Sequence, residues 1–136
     1  MKLFKAVCAL LISLCLLPGC MPKPQSPAPG GDGLTVHFID VGQADCALLE
    51  CDGEYILIDG GNVGDSSLVV SYLQQQGVEN LEAVICSHAH EDHVGGLPGV
   101  LAVYPTEAVY APTRTYSSNC FDDFVHYTDQ QGLEVT

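Results

Sequence analysis

Basic residues are nearly missing from this 136-residue chain: four Lys and Arg face 17 Asp and Glu, for a formal charge of −13. Lys2 and Lys5 lie in the first five positions. Beyond them only Lys23 and Arg114 remain, two bases against 17 acids, or −15. Such a balance excludes the cationic footprint of a tight duplex-binding protein. Acidity of this kind mostly describes a solvated surface, and bound divalent ions would offset part of it. A membrane-crossing stretch is lacking as well, since the apolar run at residues 6–17 covers 12 positions where about 20 are needed. A disulfide scaffold is also disfavoured. Three of the seven cysteines (Cys8, Cys15, Cys20) precede residue 21, which leaves Cys46, Cys51, Cys86 and Cys120. Cys46 and Cys51 fall on opposite faces of one predicted strand, which disfavours a bridge between them. All four read as small apolar residues, with Cys86 buried. The length suits one domain with a modest core.

What is present begins with a short basic head, the apolar run, and Leu17-Pro18-Gly19-Cys20. This order fits an export signal, and the last four residues resemble a bacterial lipobox, although Pro18 is less usual there. The alternatives are an ordinary cleaved signal or an uncleaved anchor. The expected organisation is a signal peptide over 1–19, a lipidated Cys20, a linker over 20–33 and a folded domain over 34–136. Acyl chains on Cys20 would hold the protein on the outer face of a bacterial membrane; without them it would be secreted. The linker carries Pro22, Pro24, Pro27 and Pro29, then Gly30, Gly31 and Gly33, a composition that gives an extended spacer.

Residues 35–41 read as a β-branched strand that holds His37 in a structural role. Residues 46–51 and 54–59 form a predicted hairpin across Asp52-Gly53, a type I′ signal pairing Cys51 with Glu54. Asp45 and Asp59 then share its open end. Asp65 or Ser66 caps a helix to about Gln76 with Leu68, Val69, Tyr72 and Leu73 on its apolar side, and Gly77 stops it. Residues 81–86 form an apolar strand, 100–104 a helix bounded by Pro98 and Pro105, and 108–111 a short strand. Residues 113–121 read as a polar loop whose Arg114 could meet an anionic substrate. A helix with an exposed His126 follows over 122–131, and residues 133–136 begin a further strand.

Directly after the 81–86 strand comes Ser87-His88-Ala89-His90-Glu91-Asp92-His93-Val94-Gly95-Gly96-Leu97. Three of the chain's five histidines and two acids occupy six consecutive positions, so a chance polar loop explains the cluster poorly. Imidazole and carboxylate are ligands for zinc, iron or manganese. His88 and His90 can converge on one ion, while Asp92 and His93 face a second. Gly95 and Gly96 let backbone approach the loop closely.

The HxHxDH pattern followed by Gly-Gly-Leu resembles the metallo-β-lactamase superfamily. The phrase from His37 to Cys46, with Ile56-Leu57-Ile58-Asp59-Gly60-Gly61, is more specifically similar to the extracellular hydrolase domain of ComEC-type DNA-uptake proteins. Ala44 stands where that family usually has Gly. The resemblance implies an α/β protein with the αββα sandwich fold, present as its N-terminal half and incomplete at the C-terminus. It also implies two divalent ions, zinc first and manganese or iron as alternatives, held by His88, His90, Asp92 and His93. Water activated by the metals would be the nucleophile, with Asp92 managing the proton and Asp59 orienting a ligand from behind. The family's third histidine, bridging Asp and final histidine have no counterpart here, so an unpaired sheet edge and self-association are expected. The implied substrate is a phosphodiester, in nucleic acid or a smaller nucleotide. Thioesters, lactones and β-lactams use the same metal core. The other class of function is a non-catalytic, degenerate or truncated lipoprotein that acts as a binding module. No protein partner is inferable.

Lipidation is directly measurable. Bacteria fed labelled palmitate should incorporate label into the wild-type protein and not into Cys20→Ser; equal labelling of both would remove the anchor assignment.

Overall fold

The computed structural model describes residues 33–136, so the signal, the Cys20 lipobox and nearly all of the linker lie outside the described residues. One sheet of five strands runs in sequence order: β1 (Leu34–Phe38), β2 (Ala47–Cys51), β3 (Glu54–Ile58), β4 (Ala83–Ile85) and β5 (Val109–Tyr110). The first three strands pair antiparallel, and β3–β4 and β4–β5 pair parallel. Each parallel pair is joined by a helical crossover, as that geometry demands. The helices are α1 (Ser66–Gln76), α2 (Glu91–Val94), α3 (Leu97–Leu101) and α4 (Asn119–Gln130). Among the described residues no helix is long and apolar enough to cross a membrane.

The predicted hairpin is present. Asp52 and Gly53 have φ of 53° and 84°, the pair of positive values a type I′ turn needs. Cys51 faces Glu54 and Ala47 faces Ile58. Cys46 is buried, Cys51 is exposed, and all four described cysteines are free. Cys51 alone of these four is exposed, next to the hairpin turn, and Cys86 is buried as expected. Ala44 is absent from the positive-φ positions, and that conformation falls on Gly42 instead, at φ 70°. The turn thus tolerates Ala44.

Helix α1 ends as expected on Gly77 at φ 77°. Gly77 N–H donates to Gln74 and Val78 N–H to Leu73, each at 3.1 Å, which is a Schellman closure. Val69 and Leu73 are fully buried, whereas Leu68 is 45% exposed and does not share the apolar side assigned to it. Three boundaries also move. β1 ends at Phe38 rather than residue 41, although Ile39 N–H still donates to Cys46 O at 3.0 Å, and Ile39 and Val41 are buried in the core. The helix expected over 100–104 occupies Leu97–Leu101, with Pro98 inside its first turn, where a missing N–H costs nothing. The last helix starts three residues early, at Asn119, because Ser118 Oγ accepts from Phe121 N–H, a cap that the polar run concealed. Val135 bridges Val109 in parallel, as the strand expected over 133–136 requires.

Register sorts the sheet into two faces. His37, Leu48, Leu57, Val84 and Val109 align across it, and the four aliphatics are at most 1% exposed under the helices. Leu34, Val36 and Phe38 point the other way and are 61%, 43% and 87% exposed. His37 is held structurally, with its Nδ1 3.0 Å from the Tyr72 hydroxyl on α1 and its Nε2 3.2 Å from Glu50.

At the carboxyl ends of β3 and β4 the packing is backbone on backbone. A Cβ added to Gly96 would collide with the Gly60 carbonyl, and one added to Gly95 would lie 2.5 Å from both Glu91 O and Val63 N. Gly96→Ala should therefore destabilise the domain by about 1–3 kcal/mol through overpacking. Gly64, with open space around it, should tolerate Ala within about 0.5 kcal/mol. Denaturant midpoints of the two variants check this, and equal midpoints would contradict it.

Candidate metal centre

The β3–β4 register pairs Ile58 with Ile85, so the two strands end together, one in Asp59 and the other in the histidine loop. Asp59 turns at once into the left-handed region, at φ 58°, a conformation that Asp adopts more readily than most residues. Its N–H donates to Ile85 O at 2.8 Å, and its side chain swings under the loop. Asp59 is 4% exposed, yet its carboxylate is fully engaged. Oδ1 accepts from Ser87 N–H at 2.7 Å. Oδ2 accepts from Ser87 Oγ–H at 2.6 Å and from His93 Nδ1–H at 2.8 Å. A buried carboxylate requires such partners.

This last bond determines what His93 can do. With Nδ1 donating to a carboxylate, the lone pair at Nε2 is left for a cation. The backbone locks the same parts together: Gly60 N–H donates to His93 O at 2.7 Å, Asp45 N–H to Asp92 O at 3.1 Å, and Gly96 N–H to Gly61 O at 3.1 Å. Short helix α2, opening after extended His90, then turns Asp92 and His93 toward His88.

His88, Asp92 and His93 each offer a ligand atom, all within 4.8 Å of one another. Their rings crowd closely, with His88 and His93 centroids 3.7 Å apart. His90 is exposed and lies one ring further out, its centroid 4.8 Å from His88. The structure thus gathers three of the four expected ligands and leaves His90 beside them. The trio also cuts across the expected division of His88 with His90 and Asp92 with His93. Two imidazoles and a carboxylate at this spacing fit a divalent cation. Thiolates play no part. Burial, and then the charge of Asp59, pushes the Cys86 thiol up to about 12, and the same two causes raise Cys46 to about 12. Both stay protonated at neutral pH. Cys86 instead donates its S–H to His88 O at 3.0 Å.

Two further side chains lie away from the cluster, His126 as expected. His126 is exposed on α4, bonded to Gln130. Asp40 accepts from Gly42 N–H at 3.1 Å within its own turn. Ser87 was given no role by the sequence; its two bonds to Asp59 depend on parallel register, which leaves no local signature. Tyr116 was likewise missed. Its ring lies 6.0 Å from that of His90 and 6.1 Å from that of Phe121. A groove of about 610 Å³ opens there, lined by Arg114, Tyr116, Phe121, Asp122 and Val125 among others.

The profile of the metallo-beta-lactamase superfamily matches residues 39–128. The chain belongs to that superfamily. It is 34% identical over 110 residues to the uncharacterized protein YcaI of Escherichia coli, covering 75% of this chain and 14% of that protein. It is 40% identical over 68 residues to hydroxyacylglutathione hydrolase of Tolumonas auensis, covering 50% and 25%. It is 35% identical over 91 residues to recombination protein 2 of Haemophilus influenzae, covering 62% and 11%. Among solved structures it is similar to MEM-A1, a subclass B3 metallo-beta-lactamase, with 26% identity and a TM-score of 0.50 over 65% of this chain and 33% of that one. The chain therefore spans a quarter or less of these three relatives and carries part of the family fold. Hydrolytic metalloenzymes make up much of this superfamily, and the chain carries a candidate His/Asp metal site.

Removing the Asp59 bond to His93 while keeping side-chain shape isolates its contribution. Asp59→Asn should weaken zinc binding about 10–100-fold, measured by competition with a chromogenic chelator. Unchanged affinity would show that Asp59 serves packing alone.

Proposed function

We propose that the protein is an extracytoplasmic, metal-dependent phosphodiesterase, anchored through Cys20 and acting on a nucleotide or nucleic acid. The observation that carries the metal chemistry is the Asp59–His93 bond, which presents Nε2 beside Asp92 and His88. Divalent ions held there would polarise the scissile bond and lower the pKa of a bound water to about 7. His88, His90, Asp92 and His93 would hold two ions, zinc first, with manganese or iron as alternatives. Asp59 and Ser87 fix the orientation of His93. Asp92, with a half-exposed carboxylate, would take the proton from the attacking water.

Several observations favour a phosphodiester. The His37–Cys46 and Ile56–Gly61 phrases resemble ComEC-type domains, and recombination protein 2 is among the relatives. Arg114 is the only Lys or Arg among the described residues, and it lines the groove that Tyr116 connects to His90. A guanidinium there suits a phosphate, and an adjacent aromatic face suits a base. The strongly acidic chain favours a small or single-stranded substrate over long duplex. A second reading, thioester hydrolysis, is favoured by similarity to hydroxyacylglutathione hydrolase.

The test is hydrolysis of bis(p-nitrophenyl) phosphate and of a dinucleotide by the metal-loaded full chain. Chelation should abolish turnover, and His88→Ala should lower it about 100-fold or more, given the metal's share of the chemistry. Arg114→Ala should raise KM for the dinucleotide several-fold with little change in kcat, as loss of ground-state binding does. Turnover that survives chelation would overturn the proposal. Hydrolysis of a hydroxyacylglutathione thioester in place of both phosphodiesters would select the second reading. Metal binding without turnover of any substrate would favour a non-catalytic binding module.

A further inference from the structure

Two acids in the turn after β1, Asp40 and Asp45, look equivalent in the sequence and are not. Asp40 spends its carboxylate on Gly42 within the turn. Asp45 reaches the metal centre: its Oδ2 lies 3.6 Å from His93 Nε2, and Asp92 Oδ2 lies 3.7 Å from the same nitrogen. Among the described residues the Asp45 carboxylate has no partner other than His93, and it is 74% exposed.

These separations are too long for hydrogen bonds. They match what a shared cation produces, because two donors about 2.1 Å from one ion at a near-tetrahedral angle sit about 3.4 Å apart. Nor is the placement loose. Asp45 N–H donates to the carbonyl of Asp92 itself, and Asp45 O accepts from Gly61 N–H at 2.9 Å, so its backbone is locked both to a ligand and to the turn that follows Asp59.

We infer that Asp45 is a further metal ligand, offering its carboxylate to a cation at His93 Nε2. The inference rests on the metal reading above and adds a carboxylate to the expected ligand set.

The test titrates metal-free full chain with Zn²⁺ by calorimetry and with Co²⁺ by visible absorption, neither of which depends on turnover. Asp45→Asn should weaken one Zn²⁺ equivalent tenfold or more and alter the Co²⁺ band, while Asp40→Asn should match wild type. Asp45→Glu, which keeps the carboxylate, should stay within a few-fold of wild type, and far-UV circular dichroism checks that every variant is folded. Wild-type affinity in Asp45→Asn for every bound equivalent, with an unchanged Co²⁺ band, overturns the Asp45 assignment alone. A wild-type chain that binds neither ion overturns this assignment and the hydrolase reading together.

Discussion

One buried carboxylate organises the functional end of this molecule. Asp59 gives up solvent almost completely and recovers its hydrogen bonds from Ser87 and His93. Burying such a group without partners would cost several kcal/mol, so the histidine loop and the end of β3 are bound to each other's positions. The same contact selects which imidazole nitrogen of His93 faces outward. Structural necessity and metal chemistry thus meet in one hydrogen bond, and the loop is held in shape before any ion arrives. Such preorganisation is what ligand geometry requires.

Glycine makes the contact possible. Gly60 and Gly96 pack backbone against backbone, and Gly95 sits against the Asn62–Val63 segment. Any side chain there would push α2 away from β3 and lengthen the His93–Asp59 bond. The location follows a general rule of parallel sheets, in which sites form beyond the carboxyl ends of neighbouring strands. Here the end of β3 contributes Asp59, the loop after β4 the His/Asp cluster, and the turn entering β2 brings Asp45 beside it.

Much of this was legible in the chain. The Asp52-Gly53 hairpin, helix α1 with its Gly77 stop, and the 81–86 apolar strand rest on local chemistry: positive φ, capping and side-chain periodicity. The HxHxDH cluster was legible because its residue types and density have no cheaper explanation. Boundaries failed where local signals misled. Pro98 reads as a start marker yet lies inside the first turn of α3, and the Ser117-Ser118-Asn119 run hides a cap. Leu68 has the right spacing for the core but faces outward, because the register of α1 on the sheet is set by Val69 and Leu73.

Sequence by itself determined the secondary-structure alphabet, the superfamily and the ligand types, since these depend on residues within a few positions of one another. Tertiary structure alone decided that Ser87 and His93 share Asp59, that His90 stands apart from the His88, Asp92 and His93 cluster, and that Asp45 rather than Asp40 faces the site. Those outcomes depend on the register between β3 and β4 and on how the turn after β1 folds back. Pairings between residues 28 to 48 positions apart are set by packing and backbone hydrogen bonding, and neither leaves a local trace in the chain.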